Sequence, residues 1–430
     1  MSTLASAELV ERIWERDPSV WTGSDEAQWL GWLDEPARMR ERIHELLEFA
    51  ARVEPDVDDV VLLGMGGSSL APEVLRRALG VERFHVLDTT HPTAIRRLEE
   101  SLDLGRTLVV AASKSGTTLE TRSHADYFRP KAGRFAVITD PGSQLAGLAE
   151  DVFYGEPTIG GRYSALSVFG LLPAALMGID LEQLLLRAEE MREACRLEEG
   201  NPALELGMRL AETQFLRVEG DFGLWVEQLV AESTGKHGKG IVPVREGGEA
   251  VGMTPAGPYE LGQEFFRWEF ATAVAGSLLG INPFDQPNVQ AAKDKTQAVL
   301  SGRVQVPGTG TGSERTVEEL LADAGPGCYV AIQAFIDPAR EAELEPLVSR
   351  ARETGAAVAV GLGPRYLHST GQLHKGGPDT GLFLQVLDDL GQELPIPGRD
   401  FGFRTLIRAQ ADGDMQALEE RGRPVARTQL

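Results

Sequence analysis

The feature that most constrains the fold is a regular alternation of short apolar runs and amphipathic stretches between residues 60 and 140. The runs are VVLLG at 60–64, FHVLD at 84–88, TLVVAA at 107–112 and FAVITD at 135–140. Each has the length of a strand buried on both faces, and each gap has room for one crossover helix. The pattern predicts a doubly wound parallel sheet of the α/β class.

The remaining sequence suggests a second unit of the same kind. Residues 1–54 are predicted to form a helical segment, residues 55–185 a first α/β domain, and residues 186–430 a second α/β domain with a C-terminal extension. We therefore predict two doubly wound α/β/α domains with parallel sheets. The strand candidates in the second domain are 223–230, 329–336, 356–363 and 381–387, and the Gly/Thr/Pro-rich region 302–327 is predicted to be flexible.

The composition argues against several classes of partner. The chain has 42 basic and 65 acidic side chains, a net charge of −23, which disfavours nucleic acid and anionic membrane surfaces. Its apolar runs are too short to cross a bilayer. The N-terminal stretch lacks the layout of an export signal, and two cysteines, Cys195 and Cys328, do not indicate a disulfide framework. We expect a cytoplasmic protein, in which a local pocket for a small anion is still compatible with the charge.

A glycine-rich loop follows the first predicted strand. In Gly64-Met-Gly-Gly-Ser-Ser69, Gly66 and Gly67 allow close approach of the backbone to a ligand, and amide groups at the next helix start favour an anion. Ser68 adds a hydroxyl group. The loop is a poor dinucleotide fingerprint, because Ser69 occupies the third glycine position.

A hydroxyl-rich loop, SKSGTT at 113–118, follows the third predicted strand. Many hydroxyl groups with little charge suit a phosphate monoester that must bind and leave. The alternative is an ordinary capped helix start, with a threonine as N-cap and Glu120 in the first turn. The candidate anion-binding residues here are Ser113, Lys114, Ser115, Thr117 and Thr118.

Five blocks in this order resemble the glucose-6-phosphate isomerase family. They are GMGGSSL, SKSGTT, GGRYS at 160–164, ESTGK at 232–236, and NPFDQP at 282–287 running on to Lys293. The likeness covers roughly residues 55–300 and is greatest to the isomerase part of bacterial transaldolase–isomerase fusions. It implies sugar-isomerase (SIS-type) domains, a sugar-phosphate substrate, no cofactor and no metal, and a homodimer.

The resemblance also implies roles for individual residues. Glu232 matches the family's base, which moves a proton between C1 and C2 of the sugar through a cis-enediol. Arg162 would stabilise the enediolate. Gln286 would contact the sugar and Lys293 would assist ring opening, while Ser68, Ser113, Ser115 and Thr118 would hold the phosphate. For Glu232, Arg162 and Lys293 the alternative is a structural or exposed side chain.

The ring-opening histidine of the family has no counterpart at its usual place, between the ESTGK and FDQ blocks. The stretch HSTGQLHKGG at 368–377 contains a Gly-Gln-x-His sequence followed by a predicted strand. A relocated block would give the role to His374 or, as the second choice, to His368. His237, directly after ESTGK, is a third candidate.

Two other functions stay open at this point. A regulatory protein that binds a sugar phosphate without turnover would keep the same loops, and a mannose-6-phosphate isomerase of the same fold would differ only in stereochemistry at C2. The STGK sequence at 233–236 resembles the end of a nucleotide P-loop, but the upstream glycine is absent and His237 stands at the Ser/Thr position.

Overall fold

The computed structural model describes residues 3–252, 255, 257–288, 295–297, 300 and 315–430. The strands are β1 (Asp59–Gly64), β2 (Phe84–Leu87), β3 (Thr107–Ala112), β4 (Arg134–Thr139), β5 (Asp151–Tyr154), β6 (Phe215–Arg217), β7 (Val242–Val244), β8 (Glu249–Ala250), β9 (Tyr329–Phe335), β10 (Ala357–Leu362), β11 (Gly381–Leu387) and β12 (Val425–Gln429). The helices are α1 (Thr3–Trp14), α2 (Glu35–Val53), α3 (Leu70–Leu79), α4 (Pro92–Ser101), α5 (Leu119–Phe128), α6 (Val168–Leu176), α7 (Leu181–Ala194), α8 (Pro202–Glu212), α9 (Gly223–Thr234), α10 (Glu260–Leu279), α11 (Val317–Ala322), α12 (Glu345–Glu353), α13 (Gly371–Gly376) and α14 (Phe403–Glu419).

The first sheet is parallel and has the order β2-β1-β3-β4-β5. The strands β1, β2, β3 and β4 lie where the alternation of apolar stretches predicts them, because these strands are covered on both faces. Val60 and Leu62 face the cluster that includes α2, α3 and α6. Val61 and Leu63 face the opposite cluster, which includes α4 and α5. The predicted doubly wound α/β fold is confirmed.

The second sheet is also parallel, in the order β10-β9-β11-β12, with α11 and α12 on one face and α14 on the other. Three of its strands match predicted runs. A small third sheet, β7-β6-β8, lies beside it and contacts β10 through a bridge between Glu246 and Val358. The short strands β5 and β12 were not predicted, since each is an edge strand that carries charged or polar residues.

One predicted strand is wrong: residues 223–230 form the first two turns of α9. This helix is buried on nearly all sides, because it lies between the first unit and the second sheet. Because nearly all of its residues are buried, the sequence of this helix lacks the apolar stripe that distinguishes a surface helix from a buried strand. The correction affects the site, since α9 carries Glu232.

The carboxyl ends of the two main sheets face each other. His91, at the start of α4, contacts Asp388 after β11 at 3.0 Å, and Arg97 pairs with Asp337 after β9 at 2.6 and 2.7 Å. One hydrophobic cluster runs from Leu9 to Phe284, across the expected boundaries at 54/55 and 185/186, and these boundaries stay predictions. The region 302–327 was predicted to be flexible. Of this region, residues 302–314 lie outside the described residues, and the described part contains the helix α11. No described helix is both long and apolar enough to span a bilayer.

Candidate functional site

Two polar loops lie side by side at one edge of the first sheet. Gly64, the last residue of β1, pairs with Ala112, the last residue of β3. The loops 64–69 and 113–118 therefore leave the sheet at neighbouring points. This is the edge at which open parallel sheets bind ligands.

Hydroxyl groups connect the 113–118 loop internally. Ser113 Oγ lies 2.9 Å from Thr118 Oγ1 and accepts a hydrogen bond from the Gly116 amide at 3.1 Å. Ser115 Oγ lies 2.9 Å from Thr117 Oγ1, and both of these side chains are exposed. Gly116 has a φ of +65°, and a Cβ there would lie 1.9 Å from Ser143 Oγ, so the tight turn requires glycine. The loop is preformed at the start of α5, where an anion is favoured.

The ammonium group of Lys114 is not directed into this loop. It pairs with Asp140 at 2.8 Å, donates to the Glu156 carbonyl at 3.0 Å and lies over the ring of Phe169. Asp140 follows β4 and Glu156 follows β5, while Phe169 lies in α6. The charge proposed for Lys114 is thus already compensated, and the loop offers mainly hydroxyl and amide donors.

The 64–69 loop packs against the GGR turn at 160–162 without space for side chains. A Cβ on Gly67 would lie 2.0 Å from the Gly161 carbonyl oxygen. A Cβ on Gly66, whose φ is +55°, would lie 2.6 Å from the carbonyl oxygen of His368 and 2.8 Å from Gln228 Nε2. The glycines therefore bring Arg162, Gln228 and the 368 region to the edge of the first sheet. The buried Ser68 lies in the same loop.

Glu232 lies in the last turns of α9 and is 6% exposed. Its Oε2 accepts a hydrogen bond of 3.0 Å from Gln228 Nε2, one helical turn earlier. Its Oε1 lies 3.5 Å from Arg162 Nη1. The carboxylate thus has one amide donor and one cation beside it, and the distance to the cation is longer than that of a close ion pair.

Arg162 is fixed by neighbours other than Glu232. Its Nε donates to Ser233 Oγ at 2.8 Å, and its Nη2 donates to the carbonyl oxygens of Pro283 at 2.7 Å and Asp285 at 2.9 Å. The guanidinium is 2% exposed and its Nη1 faces Glu232. These contacts hold a positive charge in a preorganised position, which is how charge that develops during a reaction is stabilised.

Gln286 lies in the loop after α10, and its side chain is exposed. Gln286 follows Asp285, whose carbonyl oxygen binds Arg162. The predicted site residue Lys293 lies outside the described residues.

His368, the second choice among the histidines, is the one that reaches the site. Its Nε2 lies 2.9 Å from Glu120 Oε1, which also accepts a hydrogen bond of 2.6 Å from Gln410. Its backbone carbonyl accepts from Gln228 Nε2 at 2.9 Å, so one amide group connects His368 and Glu232. A carboxylate that binds one ring nitrogen orients the imidazole and leaves the other nitrogen for proton transfer.

His374, the first choice, is not brought to the cluster. It is 3% exposed and lies among the rings of Tyr329, Tyr366 and Phe383 in the second unit, with Nδ1 3.0 Å from Gln333 Nε2. Burial, and next the nearby Lys375, lower its pKa well below the usual value, so it is neutral. His237 is exposed and has a left-handed backbone conformation, with a φ of +55°. Among the described residues no group of His, Cys, Asp and Glu side chains could hold a metal ion.

Two residues of the site were missed by the sequence analysis. Glu120 was noted only as a residue in a helix's first turn, and the partner that gives it a role, His368, is 248 positions away in sequence. Gln228 precedes Glu232 by four residues, a spacing that places both on one face of a helix. That signal was in the sequence but was hidden by the strand predicted over 223–230.

The arrangement is suited to proton transfer. A buried carboxylate, a fixed guanidinium and a histidine paired with a second carboxylate lie near the edge of the first sheet from which the two predicted anion-binding loops leave. A carboxylate of this kind can remove a proton from carbon, and the guanidinium can stabilise the resulting oxyanion.

Comparisons with known proteins find relatives described as glucose-6-phosphate isomerases. Residues 36–206 match the family model described as phosphoglucose isomerase. A glucose-6-phosphate isomerase of Thermus thermophilus is 36% identical over 251 residues, which cover 52% of this chain and 58% of that protein. One of Rubrobacter xylanophilus is 29% identical over 378 residues, covering 61% of this chain and 87% of that protein. The chain therefore spans less than two thirds of the Thermus relative's length.

A solved structure shows the same fold. The crystal structure of a glucose-6-phosphate isomerase from Chlamydia trachomatis superimposes with a TM-score of 0.53 at 20% identity, over 62% of this chain and 74% of that one. At this identity the likeness concerns the fold alone.

Proposed function

We propose that this chain, whose residues 36–206 match the phosphoglucose isomerase family, is an aldose–ketose isomerase that interconverts glucose 6-phosphate and fructose 6-phosphate. The observation that carries the proposal is the position of Glu232. Its buried carboxylate lies beside Arg162, and the side-chain amide of Gln228 lies between it and Gly66 of the glycine loop at the sheet edge. The relatives named above support the choice of substrate.

In the proposed reaction the 6-phosphate binds the loop 113–118, with Ser68 from the neighbouring loop. The Glu232 carboxylate removes the proton from C2 of the open-chain aldose, and the carbonyl oxygen at C1 gains electron density. The hydroxyl proton on O2 passes to O1 at the enediol stage, and the same carboxyl group delivers its proton to C1 as the C2 carbonyl forms, which gives the ketose and regenerates the base. Arg162 stabilises the negative charge of the enediolate between the two transfers.

His368 is proposed to open the sugar ring. Glu120 accepts a hydrogen bond from Nε2 of His368. The other ring nitrogen, Nδ1, then exchanges a proton with the ring oxygen or the anomeric hydroxyl group of the sugar. The histidine then comes from the same chain as Glu232. Gln286 and Lys293 stay in the proposal as sugar-contacting and ring-opening residues. The reaction needs only proton transfer, so we propose no cofactor.

The proposal also includes a homodimer, which the family resemblance implies, and a cytoplasmic location, which the cysteine count and the N-terminal stretch favour. It includes the particular likeness to the isomerase part of transaldolase–isomerase fusions. The mass of the purified protein in solution, measured by light scattering, tests the dimer. A single-chain mass at all concentrations would remove it from the proposal.

The test of function is turnover by a matched pair of variants. Purified protein in EDTA is given fructose 6-phosphate while glucose 6-phosphate is followed. We expect Glu232→Gln to lose about 10²- to 10⁴-fold in kcat and still to bind a phosphorylated sugar acid. Glu205→Gln, which changes an exposed glutamate on α8, is the control and should stay within about twofold.

Three outcomes would contradict parts of the proposal. Turnover that is unchanged in Glu232→Gln would remove Glu232 as the base. Binding of the sugar acid by the unaltered protein without any turnover would instead favour the regulatory function. Faster turnover of mannose 6-phosphate than of glucose 6-phosphate would change the substrate assignment.

A further inference from the structure

Lys236, the last residue of the ESTGK block, is a charged group that the mechanism above does not use. Its side chain is 0% exposed. The sequence singled it out only as an incomplete P-loop ending, which would place the lysine on a nucleotide phosphate. The structure instead directs its ammonium group inward, to the loop 282–285.

The ammonium group of Lys236 donates three hydrogen bonds to this loop. The acceptors are the Asn282 carbonyl at 2.7 Å, the Asp285 carbonyl at 2.7 Å and Asp285 Oδ1 at 2.6 Å. Three acceptors satisfy all the protons that an ammonium group carries. The lysine therefore connects the end of α9 to the loop that precedes Gln286.

The same loop also holds Arg162. The Asp285 carbonyl oxygen accepts from Arg162 Nη2 at 2.9 Å as well as from Lys236, so the two cations share one acceptor. A shift of this carbonyl would move the guanidinium that faces Glu232. Lys236 thus acts on Arg162 through the loop rather than through the substrate.

We propose that Lys236 is a positioning residue that fixes the 282–285 loop, and through its carbonyl groups sets the direction in which Arg162 faces Glu232. This inference rests on the proposed isomerase function for its kinetic consequences. Its structural content, the attachment of the loop, is independent of turnover.

The charge state of Lys236 gives the proposal a pH dependence. Burial, and next the nearby Arg162, lower its pKa to about 8, against the opposing effect of Asp285 and Glu232. These three are the charged groups that face it. Above that pH a neutral amine has two protons for three acceptors, so the attachment weakens and kcat falls. Because folding lowers this pKa, deprotonation favours the folded state, and the fall is therefore not a sign of unfolding.

The kinetic test uses Lys236→Met and Lys236→Arg, with Lys239→Met as control, because Lys239 is an exposed lysine three residues further on. For Lys236→Met we expect kcat for fructose 6-phosphate to fall at least tenfold while KM changes less than threefold, since the phosphate-binding loops are separate. Lys236→Arg should retain more activity and lose the decline of kcat above about pH 8. Lys239→Met should match the unaltered protein.

A second measurement keeps this test separate from that of the function. Hydrogen exchange of a peptide covering 281–288 should be at least tenfold faster in Lys236→Met, with unchanged exchange in α5. Faster exchange supports the attachment even if the unaltered protein does not isomerise the sugar. Unchanged exchange in that peptide, or a folded Lys236→Met with kcat within twofold, overturns the proposal. If Lys236→Met does not fold, Asp285→Asn gives the same comparison with one acceptor weakened.

Discussion

At the scale of single residues, burial separates the two histidines of the 368–377 stretch. His368 lies at the junction of the two units, with one nitrogen on Glu120 and its carbonyl on Gln228. His374 is enclosed by aromatic rings and is kept neutral. Six positions of sequence thus separate a proposed proton-transfer residue from a core residue. His368 ends the short turn before α13, whereas His374 lies within α13 and packs into the aromatic cluster.

This difference predicts the effect of replacing each histidine. In His368→Ala, isomerisation of glucose 6-phosphate should fall about 10²-fold, because ring opening loses its acid–base group. Exchange of the C2 proton in a tetrose 4-phosphate, which cannot close a ring, should change only a few-fold. The two rates are measured by a coupled assay and by deuterium uptake in heavy water.

The control for this prediction is His374→Ala. It leaves a cavity in the second unit and should lower the free energy of unfolding, with the rate ratio between the cyclic and open-chain sugars unchanged. A selective loss on the cyclic sugar in His374→Ala, with none in His368→Ala, would reverse the assignment.

At the scale of elements, the site depends on loops that touch through backbone atoms. The 64–69 loop meets the 160–162 turn at Gly67, and it meets the 368 region at Gly66. The helix α9 then presents Gln228 and Glu232 from one face to this junction. Because these glycines have no side chain, their contribution is the close approach of the backbones that they permit.

The prediction at this scale is that Gly67→Ala separates the two loops. Its Cβ would lie 2.0 Å from the Gly161 carbonyl oxygen, and neither backbone can yield without moving a binding loop or Arg162. We expect a loss of about 1–3 kcal/mol in the free energy of unfolding, measured with urea, together with a large loss of kcat/KM.

Gly161→Ala is the matched control, since its Cβ would have no heavy atom within 4 Å. It should leave both stability and activity close to those of the unaltered protein. Equal effects of the two substitutions would show that the loss in Gly67→Ala does not come from this contact.

At the scale of the whole molecule, the elements around the second sheet contribute residues to the proposed site at the edge of the first sheet. Asp388, which is 5% exposed, accepts from His91 Nε2 at 3.0 Å and from the Asp337 amide at 2.9 Å. Gln410 connects Thr90 with Glu120 across the same junction. These contacts dock the carboxyl ends of the two sheets, and the docking brings His368 to Glu120.

We therefore predict that Asp388→Ala loosens this docking. Removal of a buried carboxylate that connects both units should cost about 3 kcal/mol in the free energy of unfolding. It should also lower kcat for glucose 6-phosphate, since His368 is no longer held. The adjacent, exposed Asp389→Ala is the control, and urea unfolding and turnover are the measurements. Equal unfolding midpoints for the two variants would contradict the prediction.

Several parts of this molecule follow from the sequence alone. The runs at 60–64, 84–88, 107–112 and 135–140 are short, apolar and separated by amphipathic stretches, so local pattern suffices to place the first sheet. The hydroxyl groups of 113–118 and the glycines of 64–69 follow directly from the ends of those strands. The two loops lie close together because the strands that precede them pair in parallel.

Other parts were decided only by tertiary structure. Residues 223–230 are mostly apolar and nearly all buried, so their pattern did not distinguish helix from strand, and only the packing of α9 between the two main sheets shows the helix. The choice of His368 over His374 and the inward direction of Lys236 depend on partners far away in sequence, such as Glu120 and Asp285. A sequence gives the chemistry of such groups, but only the packing of the two units determines which of them meet.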